Sequence, residues 1–563
     1  MKTVICQINS KYVHSSLAAW CLLSGVRSFS QAEHDASVVE ATINEKSEAV
    51  VERIVSSAPE VVGFCCYIWN VTFVKKVAEK VKGVLPCCKI VFGGPEVSYN
   101  AEEVLEDCPF VDFIISGEGE LPFARLLDGI EKFEIPEGFG ICRRLGKEII
   151  VSDPYISCDE PPTPYCKEYF NTLGGRIVYF ETSRGCPYSC AFCLSGRCGG
   201  VRYFDLDRVK KEILLLANSG TQTVKFVDRT FNANKGRAKE IVRFICDEFG
   251  RNIPDKVCFH FEIAGDILDE ELILLLTSAP KGLFQLEIGM QSLSEDTLAA
   301  INRKTNCEKL KNNILRLTDA RNMHIHIDLI AGLPLEGLES FKESFNTAYG
   351  LGANMLQLGF LKLLHGAPMR EEKEKFPCAF SDKPPYEVIS TPWLTAEELA
   401  LLSRVEDLLE RTYNSGRFRL TLEYALGFFE NPFEFFEKIS GVIVLPEGTT
   451  LDRFTEAFFS ALCEVEGIDR TALRDAMVCD RICATADGRI PEFLRVADPF
   501  LKTAKHFLEK NPTTKKGVGV RRSVALLYGE NSVVWCDHTE ADRISGRFEF
   551  EKIPFDAVVK FKD

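Results

Sequence analysis

Residues 3 to 132 alternate short apolar runs with amphipathic stretches. TVICQI, HDASVVEAT, VVGFCCY, CKIVFGG and VDFIISG read as strands. Between them, VTFVKKVAEKVKGVL repeats its apolar positions every three or four residues, as a helix does. This alternation predicts a mostly parallel, doubly wound α/β sheet over 1–145, with ligands bound outside the carboxyl ends of its strands. Residues 146–172 break the rhythm. VSDPYISCDEPPTPYCKEYFNT has four prolines and little periodicity, so it reads as a linker.

A second series occupies 173–394. RIVYFETS, TVKFVDRT, CFHFEIAG, LFQLEIGMQS, HIHIDLIAGLP and NMLQLGFLKLL are its strands, with LDRVKKEILLLANSG among its helices. Such a run suggests a full or partial β/α barrel, whose chemistry sits at strand carboxyl ends. From 395 to 563 the pattern is mainly helical, starting with LTAEELALLSRVEDLLERTYNSG and its Thr-x-x-Glu entry. SVALLYG, SVVWCDH and FDAVVKFK predict a small strand-rich end.

Side-chain alternation adds a functional hint. In LFQLEIGMQS one face carries Gln285, Glu287, Gly289 and Gln291, and the other Phe284, Leu286, Ile288 and Met290. His324, His326 and Asp328 share a face of HIHIDLIAG, and His260 and Glu262 share one of CFHFEIAG. Barrel interiors are usually apolar layers, so polar rows on several strands predict a wet cavity for a polar ligand.

Composition narrows the function classes. The 563 residues are 46% hydrophobic and 26% charged, ordinary for a globular protein, and the formal net charge of −15 repels phosphate backbones. The densest basic stretch, PTTKKGVGVRR, reads as a solvated loop, and no nucleic-acid partner is expected. No apolar run approaches a membrane span, and MKTVICQINSKY lacks the apolar core of a signal peptide. The protein is expected to be cytoplasmic with no membrane partner.

Twenty-two cysteines argue for reduced thiols rather than a disulfide scaffold. Cys65, Cys66, Cys87 and Cys88 lie in or beside apolar runs and read as core residues. The exception is SRGCPYSCAFCLSG, residues 183–196. Cys186, Cys190 and Cys193 follow a strand at short spacing. Zinc usually takes four ligands, whereas three thiolates can hold three irons of a cubane and leave the fourth open. Cys198 is near enough to be a fourth ligand. The two glycines after it and the strand start at 201 make a free thiol an equally good reading.

This stretch resembles the signature of the radical S-adenosylmethionine superfamily, Cys-x-x-x-Cys-x-aromatic-Cys, matched by Cys186, Cys190, Phe192 and Cys193. VDRTFNAN, GMQS and DLIAGLPLEG resemble its second-, fourth- and fifth-strand segments. The resemblance implies a [4Fe–4S] cluster on Cys186, Cys190 and Cys193 whose open iron chelates S-adenosylmethionine. It also implies contacts to S-adenosylmethionine from Phe192, Glu262, Gln291, Ser292 and Arg303. The guanidinium of Arg303 suits a carboxylate. Asp228-Arg229 departs from the pair of acids in many relatives.

Four strand ends of the first domain converge on one rim: Asn9–Tyr12, Tyr67–Asn70, Gly93–Glu96 and Gly117–Glu120. Taken alone, its glycines close turns. FGGPEVS and DFIISGEGELPF, standing before the cysteine motif, resemble the Rossmann-like cobalamin-binding domain found ahead of many radical S-adenosylmethionine domains. Tyr67, Trp69, Gly93, Gly94, Glu96 and Gly117 are the cobalamin-binding candidates by that likeness. The Asp-x-His-x-x-Gly segment whose histidine coordinates cobalt is absent. His14 is the only histidine placed near the rim, where KYVHSS reads as a helix start.

The implied function is a cobalamin-dependent radical S-adenosylmethionine enzyme of an uncharacterised subgroup, most simply a methyltransferase acting on an unactivated carbon of a small molecule or peptide. An electron donor such as flavodoxin or ferredoxin is an expected partner. Ring closure or rearrangement without methyl transfer is the alternative within the family. A non-catalytic cobalamin or redox sensor is the alternative outside enzymes.

Overall fold

A parallel sheet opens the chain. β1 (Lys2–Asn9), β2 (Asp35–Thr42), β3 (Val61–Cys65), β4 (Lys89–Gly93) and β5 (Phe113–Ile115) run parallel. An antiparallel hairpin, β6 (Ile141–Leu145) and β7 (Glu148–Ile150), extends them in the order β2-β1-β3-β4-β5-β6-β7. These are features of a computed structural model, which describes residues 1–446, 448–485, 488–510 and 522–560. PTTKKGVGVR falls outside the described residues.

Contacts divide the chain into two compact units. One comprises Met1–Leu276, Leu298–Thr305 and Phe360–Pro392, and the other Thr277–Thr297, Asn306–Gly359 and Trp393–Asp563. In the first unit every residue of β3 is buried, as expected for a parallel sheet covered on both faces. The helix Val71–Val84 turns Val71, Val74, Val77, Ala78 and Val81 inward, and they join a core with Val4, Ile8, Phe64 and Phe92. Cys65, Cys66 and Cys88 are buried as expected. Cys87 is not: it is exposed in the turn before β4, where the apolar run has not yet entered the sheet.

The same unit holds β8 (Val178–Phe180) and a short antiparallel pair, β9 (Ser183–Arg184) and β10 (Arg202–Tyr203). β11 (Thr223–Phe226) pairs in parallel with β8 on one side and β12 (Cys258–Ile263) on the other. The proline-rich segment ends in a helix, Lys167–Leu173, rather than staying irregular. Its buried Tyr169 packs edge-on against Trp20, which supplies the apolar anchor that local periodicity did not show.

In the second unit β13 (Phe284–Gln291) pairs in parallel with β14 (His324–Ala331), and β15 (Met355–Phe360) lies beside β14. Burial alternates strictly along β13: Phe284, Leu286, Ile288 and Met290 are buried, and the polar row between them is half-buried. β16 (Ala379–Phe380) and β17 (Val388–Ser390) form a small pair in the first unit.

The C-terminal part of the second unit is helical as predicted. Its leading helix, Ala396–Leu409, carries the capping box: Thr395 Oγ1 accepts from Glu398 N at 3.2 Å and Glu398 Oε2 from Thr395 N at 2.8 Å. The closing sheet is β18 (Arg522–Leu527), β19 (Ser532–Ala541) and β20 (Phe548–Pro554), antiparallel throughout. The described part of FDAVVKFK, residues 555–560, is not its third strand. Residues Phe555–Val559 form a helix, with Phe555 and Val558 packed into the cluster around Leu508 and Trp535. That spacing of three is helical, and it outweighs the β-branched pair Val558-Val559. No helix among the described residues is long and apolar enough to cross a membrane.

Candidate functional site

The cysteine loop is irregular backbone between β9 and a short 3-10 turn, Ser195–Cys198. It is pinned from two distant segments. Ala191 N donates to Ile301 O at 2.9 Å, and Asn302 Nδ2 to Ser189 Oγ at 2.6 Å. On the other side Met369 N donates to Ala191 O at 3.0 Å. Cys186 Sγ lies 3.5 Å from Thr230 Oγ1, and Cys193 Sγ accepts from Ser195 N at 3.4 Å. Burial pushes the Cys190 thiol up, and the Arg303 guanidinium, with Nη1 3.8 Å from Cys190 Sγ, pulls it back. Phe192 is half-buried on the same loop. The tethers fix the shape of the loop, and the cation beside Cys190 opposes the burial that favours its thiol.

Asp228 braces the entry to this loop. It accepts from Thr182 N at 3.1 Å, from Thr182 Oγ1 at 2.7 Å and from Ser183 Oγ. The carboxylate is therefore spent on the strand that leads into the cysteines. Arg229 behind it faces a cavity, with Nη1 3.9 Å from Glu262 Oε2.

That cavity, about 630 Å³, lies within the first unit and has two walls. One is the carboxyl rim of the first sheet, including Tyr67, Trp69, Gly93, Gly94 and Gly117. The other comes from Tyr179, Glu181 and Arg184, and from Lys225, Arg229 and Glu262 on or after β11 and β12. Tyr67 and Trp69 stack with centroids 4.4 Å apart and planes 9° apart. Trp69 remains 48% exposed, so the pair offers a flat aromatic face. Gly94 and Gly117 have backbone reasons to be glycine. Their φ angles are +112° and +89°, and a Cβ would meet Cys66 O at 2.5 Å or Tyr155 O at 2.3 Å.

Glu96 is placed elsewhere. Its buried carboxylate accepts from the Tyr386 hydroxyl, and it is not among the residues lining the cavity. The chain turns after Pro95, so the run Gly93–Glu96 does not present all its residues to one side.

Gln7 and Ser16 escaped the sequence reading. Both line the cavity and are 3% and 2% exposed, and Gln7 Oε1 and Ser16 Oγ have no protein hydrogen-bond partner. Buried polar atoms are normally satisfied, so these call for a polar ligand or water in the cavity. A polar residue inside TVICQIN was the available signal. His14 also lines the cavity, with Nδ1 2.7 Å from the Tyr179 hydroxyl. Burial holds its pKa below the usual imidazole value, with Lys11 and Lys225 adding to the effect.

The second unit carries the remaining candidates. Gln291 ends β13 with φ +68°, and its buried Oε1 is without a hydrogen-bond partner. Ser292 Oγ donates to Glu336 Oε1 at 2.6 Å and accepts from Ser294 N at 3.0 Å. Ser344 Oγ contacts the same Glu336 oxygen at 3.3 Å and accepts from Leu293 N at 3.0 Å. Burial pushes Glu336 up to about 7, against the pull of both serines. Glu287, His326 and Asp328 bring ligating atoms within 4.8 Å of one another on the polar faces of β13 and β14.

Comparison with known proteins defines the class. Residues 5–127 match the B12 binding domain, and residues 180–348 match the Radical SAM superfamily. The chain thus carries both matches in order, the B12-binding domain ahead of the radical S-adenosylmethionine domain. Residues 374–525 match a family described as protein of unknown function, DUF4080. Among curated relatives, the 2-(S-pantetheinyl)-carbapenam-3-carboxylate methyltransferase of Streptantibioticus cattleyicolor is 31% identical over 52% of this chain and 45% of its own length. The cobalamin-dependent radical SAM methyltransferase TokK of Streptomyces tokunonensis is 28% identical over 58% of this chain and 50% of its own. The chain therefore spans about half the length of these relatives. The solved structure of the cobalamin-dependent S-adenosylmethionine radical enzyme OxsB, with aqua-cobalamin and S-adenosylmethionine bound, superposes with a TM-score of 0.59 at 15% identity. It covers 92% of this chain and 82% of its own, a likeness of fold.

Proposed function

We propose that this protein is a cobalamin-dependent radical S-adenosylmethionine methyltransferase acting on an unactivated carbon of a small molecule or peptide. Cys186, Cys190 and Cys193 hold a [4Fe–4S] cluster. Arg303, Phe192, Glu262, Gln291 and Ser292 bind S-adenosylmethionine. Tyr67, Trp69, Gly93, Gly94 and Gly117 form the cobalamin rim, joined by Gln7 and Ser16. The domain division is 1–145 for cobalamin, 173–394 for the barrel and 395–563 for the C-terminal part, with 146–172 between the first two. When bound, the cluster and S-adenosylmethionine supply a hydrogen-abstracting radical, and cobalamin carries the methyl group.

The observation that carries this reading is the two-walled cavity. A B12-type rim and the strand ends flanking the cysteine motif line one space in one unit. Gln7 and Ser16 fit a ligand rich in amide groups, since each can pair with one. Arg303 fits a carboxylate beside the cluster, and the orphaned Gln291 oxygen fits an amine or hydroxyl donor. The chain's own part is to hold the two cofactors, exclude water between them and position the substrate. Reduction of the cluster requires an electron donor such as flavodoxin or ferredoxin, consistent with a cytoplasmic setting.

The test is anaerobic reconstitution with iron, sulfide and hydroxocobalamin, then S-adenosylmethionine and a reductant. Formation of 5′-deoxyadenosine is expected. Binding of all three cofactors without any cleavage of S-adenosylmethionine would overturn the reading in favour of a sensor.

A further inference from the structure

Cross-strand neighbours of like charge repel, yet Arg184 and Arg202 face each other in the β9–β10 pair that closes the base of the cysteine loop. Glu118 resolves the conflict by accepting from both. Arg184 Nη1 reaches Glu118 Oε2 at 3.1 Å, Arg202 Nη1 reaches the same oxygen at 3.2 Å, and Arg202 Nη2 bonds Glu118 Oε1. Arg184 also grips two further carboxylates. Nη2 donates to Glu120 Oε1 at 2.5 Å, Nη1 to Glu120 Oε2 at 3.2 Å, and Nε and Nη2 to the two oxygens of Glu181 at 3.0 Å each.

All three nitrogens of this guanidinium are engaged, and its side chain is only 14% exposed. Burial pushes Glu120 up, and the charge and hydrogen bond of Arg184, with a backbone hydrogen bond and the Arg202 charge, together hold it below the usual carboxylate range. Such a fork needs arginine: a lysine ammonium cannot bridge two carboxylates in fixed planar geometry.

The partners span the candidate site. Glu118 and Glu120 follow β5 on the sheet rim, and Arg184 stands two residues before Cys186. All are in one unit, and Glu118, Glu120, Glu181 and Arg184 line the cavity. We propose that Arg184, backed by Arg202, is a positioning residue that fixes the cysteine loop against the cobalamin rim and so sets the spacing between the two metal centres. The inference rests on the function proposed above. A simple ion pair needed only for stability would have no reason to tie this rim to this loop through both strands at its base.

The experiment compares wild type, R184K, R184Q and R202Q, each reconstituted anaerobically with iron, sulfide and hydroxocobalamin and reduced. Iron, sulfide and cobalamin contents are measured first. Paramagnetic resonance then reads how strongly the reduced cluster speeds relaxation of the cobalt(II) signal, which depends steeply on their separation. Wild type is expected to show the enhancement. R184Q and R184K, loaded to wild-type levels, are expected to lose much of it, with a smaller loss in R202Q. Unchanged enhancement in loaded R184K and R184Q would overturn the proposal. Loss of the cluster from R184K and R202Q alike would overturn it too, by assigning the arginines to folding alone. Failure of the wild type to hold either cofactor would instead overturn the underlying function, and this inference with it.

Discussion

Two single-residue contrasts separate roles that share one loop. Cys186, Cys190 and Cys193 are each expected to lose the cluster on substitution by alanine, read as loss of iron, sulfide and the visible absorption of the reconstituted protein. Cys198→Ala should keep all three, because Cys198 lies on the 3-10 turn beyond the motif. Retention of wild-type iron and sulfide in the triple variant would refute the assignment. Arg303 tests the neighbouring pocket. Its guanidinium is beside Cys190, so Arg303→Ala should leave the cluster spectrum intact while weakening S-adenosylmethionine binding. A hydrogen bond to a charged group contributes about 1.5–3 kcal/mol, so roughly a tenfold to hundredfold rise in Kd is expected by titration. The motif cysteines were legible because their spacing is local. The Arg184 clamp was not: Glu118 and Glu120 stand 66 and 64 residues away, and nothing in either segment names the other.

Among elements, the bend after β13 has the most specific chemistry. One buried carboxyl, Glu336, ties Ser292 and Ser344, which in turn hold the backbone of Ser294 and Leu293. Glu336 is raised from 4.5 to about 7, so between those values the native protein keeps a proton that the unfolded chain gives up. Its contribution to stability is full below the lower value and is lost as pH rises through the upper one. The shift corresponds to something on the order of 3 kcal/mol. Glu336→Gln stays neutral, so its unfolding midpoint should fall less than that of the wild type between about pH 4.5 and about pH 7, as measured by thermal melts. Parallel curves for the two proteins would contradict this. Strand alternation made β13 and β14 readable in the sequence, because period two is a property of neighbours. The Glu336 network depends on a loop, a helix and a strand end meeting in space, so no local pattern reveals it. The same limit explains FDAVV, residues 555–559, whose helical form is decided by packing on Leu508 and Trp535.

At the scale of the molecule, the cavity joins the first sheet to the strand ends beyond the cysteine motif, and this decides what can approach cobalt. The Asp-x-His-x-x-Gly segment is absent, and His14 is the histidine on the cavity wall. Tyr179 engages its Nδ1 at 2.7 Å, while its carbonyl accepts from Asn9 Nδ2 and Arg176 Nη1, both at 3.3 Å. These bonds fix the backbone and orient the ring toward β8 rather than leaving it to swing onto a metal. The flat element of the wall is the stacked Tyr67–Trp69 pair. Cobalamin is therefore expected to bind with no protein nitrogen on cobalt, its lower face covered by aromatic carbon or by water. Paramagnetic resonance of the reduced, cobalt(II) protein should show no splitting from an axial nitrogen, and His14→Ala should leave both that signal and the cobalamin content unchanged. A nitrogen-split signal that collapses in His14→Ala would reverse the conclusion and make His14 the lower ligand. Trp69→Ala supplies the complementary measurement. If the aromatic face shields cobalt, its removal should admit water and shift the cobalt(II) spectrum toward that of the hydrated cofactor, whereas an unmoved spectrum would place cobalt away from this face of the rim.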